Sequence, residues 1–422
     1  MHNPLIVGVD VHRKANTACF MDSQGQELIP RFAFDNNRPG TETLVQHLIN
    51  VVSTGNFDAI RIAVEATNWF WFLFLHALNQ HPALQEWPLS LYAFNPRLTA
   101  NFKKTYSDLD HTDLNDAFVA ADRLRLGRDL PTPFRCDDIY LPLRFLTRYR
   151  YHVVRNLARE KAYCQSTLYL KASEYTRKDG TQPYQDKRPF SNSFGATSQA
   201  VIQSFSSIEE IAALPFDDLV EFIDHHGKRH FADPGETARK LLQVPHNSYP
   251  LPESLQEPIQ IILNLSLQHI AAMERQLKRI ATAIEQLIAP IPHTLDTIPG
   301  FGPVFSAGII SELGDLSRFD GCVEAQAAKL AGFKWPRHQS ADFEAEDRRM
   351  TRHRNPYLRY YFCEAVNSVR MCDEEYAAFY KRKYNEVRKH QHKRAIVLTA
   401  RKLVRLVVRL LTTNQPYRPR RL

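Results

Sequence analysis

Over the first 125 or so residues the apolar positions follow two periods, one suited to strands and one to helices. The run Leu5-Ile6-Val7-Gly8-Val9-Asp10-Val11 is short, apolar and β-branched, and it predicts a central strand. Thr17 to Met21 and Glu27 to Phe34 predict the next two strands, with Asp22 to Gly25 turning between them. Thr41 to Val52 has helical spacing, and Ala59 to Glu65 reads as a further strand that ends on a carboxylate. An aromatic helix through Trp69, Phe70, Trp71, Phe72 and Phe74 follows, then a strand at Leu89 to Phe94 and a helix at Asp113 to Leu126.

Three strands, a helix, a strand, a helix, a strand and a helix is the order of an α/β ribonuclease-H-like fold. From Leu143 to about Tyr175 the pattern becomes helical and mixed in charge, without Gly or Pro. Residues 176–195 are polar and rich in turn formers, which predicts a loop. Short helices are expected at Ser207 to Ala213 and Phe216 to His225, then a long one from Pro250–Glu253 to about Ala289. Within it Ile270, Met273, Leu277, Ile280, Ile284 and Leu287 recur at steps of 3, 4, 3, 4 and 3, a heptad seam. It fits a helix in a bundle core as well as a coiled-coil dimer arm. Pro290-Ile291-Pro292 ends this helix, and a new unit begins at Leu295.

The chain has 422 residues, 44% of them hydrophobic, enough for two or three folded domains. No run approaches the roughly 18 apolar residues of a membrane span. The start runs straight into a strand-like segment, so a cytoplasmic protein is expected. Six scattered cysteines form no CxxC pair, which argues against a disulfide framework or zinc knuckle. The net charge of +8 is unevenly spread: Asp347 to Leu422 holds 20 Lys or Arg against 6 Asp or Glu, a local +14 that leaves −6 elsewhere. Lys and Arg gain by displacing counterions from phosphates, so this asymmetry favours a nucleic-acid partner over a merely solubilising surface.

Four acids stand out. Asp10 lies in the middle of an apolar strand, which is costly unless its charge is compensated. Glu65 ends another strand, and Asp113 and Asp116 share a face at the start of a helix. Carboxylates converging from separate elements suit a hard cation such as Mg²⁺, and two such ions can serve phosphodiester chemistry. Helix N-termini also tolerate acids for structural reasons, and Asp108, Asp110 and Asp122 are alternatives nearby.

In the C-terminal part, Ile298-Pro299-Gly300-Phe301-Gly302-Pro303 enters a helix, so Gly300 and Gly302 are candidates for exposing backbone N–H groups to a phosphate. Ser340 lies in a loop with Arg337 and His338, and Arg352, Arg354 and Arg359 follow. A serine needs a base or metal to act as a nucleophile, and neighbouring cations can stabilise a developing phosphorane charge. Tyr357, Tyr360 and Tyr361 are alternative nucleophiles. Lys381, Arg382 and Lys383, laced with aromatics, are further nucleic-acid contacts, and a helix at Ala395 to Leu411 sets Arg401, Lys402, Arg405 and Arg409 among Val and Leu.

The segments GVDVHRK, VEAT, FNPRLT and HTDLNDAFVAADRLR resemble the DEDD transposases of bacterial insertion-sequence family 110, to which pilin-gene DNA invertases are similar. In that family's motifs the four acids fall on Asp10, Glu65, Asp113 and Asp116. The run AGFKWPRHQSADF followed by TRHRNPYLR resembles the family's AGLxPxxxQSG…K.GNxxLR signature, whose nucleophilic serine falls on Ser340. Ala341 replaces the usual Gly, and the Gly before Asn355 is missing.

The resemblance implies a ribonuclease-H-like (RuvC-like) DEDD catalytic domain at 1–142. A helical, coiled-coil-type linker follows at 143–292, with a loop-rich insertion at about 176–250. A mainly α transposase domain at 293–422 completes the chain, with a helix-hairpin-helix-like turn, the serine and a basic tail. It further implies Mg²⁺ (or Mn²⁺) on the carboxylates, a phosphoserine intermediate on double-stranded DNA, a structured noncoding bridge RNA, and a dimer or tetramer in the bacterial cytoplasm at the nucleoid. A Holliday-junction-resolvase-like Mg²⁺ nuclease using water, and a non-catalytic nucleic-acid-binding protein, are the competing expectations.

Overall fold

The computed structural model describes residues 3–128, 130–135, 139–177, 188–319, 321–336, 339–340, 343–344, 350–351 and 354–419. The chain forms two compact units, Met1–Ile139 and Tyr140–Leu422.

The first unit is built on β1 (Pro4–Val11), β2 (Ala15–Met21), β3 (Phe32–Asp35), α1 (Arg38–Thr54), β4 (Ala59–Glu65), α2 (Phe70–Gln80), β5 (Leu89–Phe94), α3 (Pro96–Lys103) and α4 (Asp113–Leu126). The sheet order is β3-β2-β1-β4-β5. β1 pairs antiparallel with β2 and parallel with β4, and β5 runs parallel to β4, so the sheet is mixed with β1 at its centre. All eight residues of β1 are buried. Leu5, Val7 and Val9 cluster with Leu44 and Leu48 of α1 and Leu75 of α2. Ile6, on the other face, clusters with Ala117, Ala121 and Leu124 of α4. A strand covered on both faces must be apolar nearly throughout, and Asp10 is its exception.

Two expectations need correction. The third strand begins at Phe32 rather than Glu27; only an isolated bridge joins Met21 to Glu27. Pro30 has no N–H for a ladder, and Glu27 instead accepts hydrogen bonds from Arg31. The helix α3 was not anticipated, although Asn95 caps it by accepting from the Arg97 N–H and Pro96 opens it.

Among its described residues the second unit is helical apart from one short antiparallel pair of strands. Its elements are α5 (Leu141–Lys171), α6 (Ala196–Ser204), α7 (Ile208–Ala213), α8 (Phe216–Gly227), α9 (Pro234–Asn247), α10 (Glu253–Ile288), α11 (Pro303–Leu313), α12 (Val323–Leu330), β6 (Gln339–Ser340), β7 (Phe343–Glu344), α13 (Pro356–Cys372), α14 (Glu374–Asn385) and α15 (Gln391–Thr413). The long helices α5 and α10 lie against one another and serve two cores. Leu168, Leu263 and Ile270 pack with α6 to α9, while Leu143, Val153 and Ile284 pack with α11, α13 and α15. The heptad seam on α10 is thus occupied within the chain. It also drifts: Leu287 is exposed and Ile288 is buried in its place, as 3.6 residues per turn require. Lys171 is buried between the helices and its ammonium donates to the carbonyl oxygens of Ile202 and Phe205 and to Gln260 Oε1, which matches its three protons. Among the described residues no helix is long and apolar enough to cross a membrane.

Candidate functional site

Gly8 decides where α4 can lie. A Cβ at this position would stand 2.1 Å from the Ala117 carbonyl oxygen and 2.2 Å from the Ala121 amide nitrogen. Gly8 and Asp10 face the same side of β1, since side chains alternate along a strand. The close approach at Gly8 therefore brings the first turn of α4 to Asp10. Thr112 caps that turn by accepting from the Asn115 N–H, and it carries Asp113 and Asp116 at the positive helix end. Glu65 arrives from β4, whose register with β1 ends at Val9 opposite Val64, one residue before both acids.

Carboxylate oxygens of Asp10 and Asp113 and a ring nitrogen of His12 lie within 4.8 Å of one another. His12 Nδ1 is 3.5 Å from Asp10 Oδ2, and that buried oxygen accepts no hydrogen bond. Burial raises the Asp10 pKa from 3.8 to about 6; His12 opposes this, while Asp116, Asp113 and Glu65 add to it. Burial also raises Glu65, although Thr67 Oγ1 donates to it at 3.2 Å. Asp116 forms an ion pair with Lys103 of α3. A hard divalent cation fits this donor set: oxygens from separate elements, one of them orphaned, crowd their negative charge into one place. Asp10, His12 and Asp113 form the group that could hold such an ion, and Glu65 and Asp116 act electrostatically on Asp10 beside it.

His12 and Lys103 were not singled out from sequence. His12 lies two residues beyond Asp10, a spacing that puts both on one face of an extended chain, and that was a usable signal. Lys103 offered none. Of the alternatives, Asp122 is engaged by the Tyr106 hydroxyl and by Arg125, and Asp108 and Asp110 take no part in the three-ligand group.

In the second unit Ser340 lies in β6, opposite Phe343 of β7. Arg337, His338, Ala341 and Arg352 lie outside the described residues. The ends of this segment are clasped. The Thr351 N–H donates to the Lys334 carbonyl at 2.9 Å, and the Asn355 N–H to that of Leu330 at 2.7 Å. Asn355 Oδ1 caps α13 through the N–H groups of Tyr357 and Leu358, while its Nδ2 donates to Glu312 at 2.6 Å. Glu312 is buried and receives both Nε and Nη2 of Arg148, at 2.7 and 2.9 Å. Arg359 is half-buried: it donates to the Gly332 carbonyl at 3.2 Å and lies over the Phe333 ring. Sequence reasoning placed Arg359 on nucleic acid; its guanidinium here is taken up inside the unit. Gly332 has φ +77°, and a Cβ there would meet Arg354 at 2.5 Å. The Tyr361 hydroxyl is buried and donates to the Thr147 carbonyl, and burial raises the pKa of both Tyr360 and Tyr361.

Gly300 has φ +79° and packs on Ser368 of α13, whereas a Cβ on Gly302 would enter open space. Arg354, Lys381 and Arg382 are exposed, and Lys383 pairs with Glu386. On α15, Lys402 pairs with Glu375, while exposed Arg405 and Arg409 line a cleft of about 570 Å³ with Arg418.

Two family models match the chain. One, for DEDD transposases of the IS110 type, covers residues 7–171; the other, described as transposase IS116/IS110/IS902 family, covers 292–381. An uncharacterized 44.8 kDa protein of insertion element IS116 from Streptomyces clavuligerus is 21% identical over 99% of this chain and 97% of its own. The first match contains all four acids, His12 and Arg148, and the second contains Ser340, Glu312, Asn355 and Arg359. The chain belongs to the IS110 family of DEDD transposases.

Proposed function

We propose that this transposase cuts and rejoins DNA through Ser340, assisted by a divalent cation, Mg²⁺ or Mn²⁺, on the carboxylates of a ribonuclease-H-like domain. The observation that carries the reading is the convergence of Asp10, Asp113 and His12 around a buried carboxylate oxygen without a hydrogen bond. Asp10, His12 and Asp113 would hold the cation, with Glu65 and Asp116 beside them. When bound, the cation neutralises charge on the phosphate and favours loss of the serine proton. Ser340 Oγ gives up its proton and attacks phosphorus, the bond to the 3′ oxygen breaks, that oxygen takes up a proton and leaves as a 3′-hydroxyl, and the other strand end remains joined to the protein as a phosphoserine ester. The clasp of Asn355, Glu312, Arg148 and Arg359 holds the serine segment for that attack. Arg405, Arg409 and Arg418 bind phosphates of DNA or of a structured noncoding RNA that directs the enzyme to its sites. Serine and carboxylates act on one phosphodiester, with one protomer's serine serving the carboxylates of another in a dimer or tetramer.

The test supplies a nicked suicide substrate from the element ends, together with RNA transcribed from the flanking DNA. A denaturing gel should show a covalent protein–DNA species with the parent and none with Ser340→Ala or Asp10→Asn. Cleavage by Ser340→Ala that releases free ends would assign the reaction to water and make this a resolvase-like nuclease.

A further inference from the structure

Between β2 and β3 the chain makes an isolated bridge at Glu27, and Arg31 follows just before β3. The two side chains are locked together: Arg31 Nε donates to Glu27 Oε2 at 2.8 Å, and Nη2 donates to Oε1 at 2.6 Å. A planar fork gripped at two points has a fixed orientation, which a single ammonium would not give. The remaining nitrogen, Nη1, is thereby turned to α4. It donates to Asn115 Oδ1 at 2.7 Å and to the Leu114 carbonyl at 3.4 Å. The guanidinium also lies 4.6 Å from the centre of the Phe118 ring, so it touches the first turn of α4 and the start of the second.

Asp113 and Asp116 stand in that same turn, on either side of the two residues that Arg31 holds. Asn115 passes the grip backwards: its Nδ2 donates to the Asp110 carbonyl at 3.0 Å, and the Thr112 N–H donates to the same oxygen at 3.1 Å. One guanidinium thus joins the entry to α4 and its first turn to the segment before β3. The other restraints on this helix act at different residues, since the missing Cβ of Gly8 admits Ala117 and Ala121 and Lys103 holds Asp116. A restraint is needed at the first turn for two reasons. Its N–H groups lack intrahelical partners, so a helix frays from there. The charges of Asp113 and Asp116 also repel that of Asp10, which works to push the turn away from β1.

We propose that Arg31 is a positioning residue of the carboxylate site: fixed on Glu27, it pins the first turn of α4 and so sets Asp113 against Asp10 and His12. This rests on the reading that these residues hold a divalent cation, and amide exchange in chelator separates the two. The parent, Arg31→Ala, Arg31→Lys, Asn115→Ala and the variant carrying both alanines are titrated with Mn²⁺ by calorimetry. Arg31→Ala should lose roughly ten-fold in affinity, and Arg31→Lys nearly as much, because one ammonium cannot grip Glu27 and Asn115 together. Asn115→Ala should lose a similar factor, and the double variant no more than either alone. A cation acting only by its charge would repel the metal, so its removal would tighten binding and Arg31→Lys would match the parent. Either result overturns the proposal, as does unchanged affinity in Arg31→Ala or an additive loss in the double variant. In chelator, hydrogen exchange at the Asn115 and Asp116 amides should quicken in Arg31→Ala while β1 keeps its protection. Parental exchange at those amides would overturn the proposal, and so would a loss of protection spread through the sheet, which would make Arg31 a general stabiliser. If the parent binds no Mn²⁺ the metal reading fails, and the exchange result alone decides whether Arg31 pins the turn.

Discussion

A methyl group at Gly8 would lie 2.1 Å from the Ala117 carbonyl oxygen, where ordinary contact begins at 3.4 Å. In Gly8→Ala, α4 must therefore retreat by about 1.3 Å, because the obstructing atoms are helix backbone that cannot rotate aside. Overpacking of this kind costs about 1–3 kcal/mol. For a unit of this size that lowers Tm by roughly 3–10 °C. The retreat also carries Asp113 and Asp116, within a turn of Ala117, away from Asp10. Ligand distances to a metal hold to about 0.2 Å, so the displaced helix would hold a cation more weakly. Mn²⁺ affinity, measured by calorimetry, should fall roughly ten- to hundred-fold. Gly302→Ala adds its methyl to open space and should change neither quantity. A Gly8→Ala protein with parental Tm and Mn²⁺ affinity refutes the argument that close approach of α4 assembles the site.

The native pKa of Asp10, about 6, exceeds its unfolded value of 3.8, so between these values the native state holds more protons than the unfolded one. The contribution of Asp10 to the stability of the metal-free protein is therefore full below 3.8 and is lost as pH rises through about 6, by roughly 2–3 kcal/mol; Asp10→Asn should remove this component from the pH profile of thermal melts and abolish stabilisation by Mg²⁺. Glu312→Ala strands Arg148 and Asn355 and should cost about 3 kcal/mol in urea unfolding; a loss under about 1 kcal/mol would mean the clasp is not held there. Arg405→Gln combined with Arg409→Gln should weaken DNA binding alike for all sequences, and the slope of log K against log salt should drop by about 1.8.

Local pattern determined much of the first unit. β1, β2, β4, β5 and α4 are legible because each is long enough for burial to impose its own period on the sequence. An acid inside an apolar strand is legible too, since only a compensating partner makes Asp10 tolerable there. Pro30 was in plain view, yet whether the chain around Glu27 pairs with β2 depends on a ladder partner that the segment does not contain. The heptad on α10 showed its period but not its occupant, α5, because an apolar stripe does not say which stripe it meets. Arg359 was visible as a cation after a basic loop; that it donates to the Gly332 carbonyl depends on the turn after α12 lying beside the first turn of α13.

The same division runs through the four carboxylates. Their identities, and their places inside one strand, at the end of another and at the start of a helix, were carried by the sequence alone. Their separate roles were decided only in three dimensions, where the missing Cβ of Gly8 admits α4, His12 joins Asp10 and Asp113, and Lys103 takes Asp116. Side chains more than a hundred residues apart meet there because backbones pack closely, and no local period encodes that meeting.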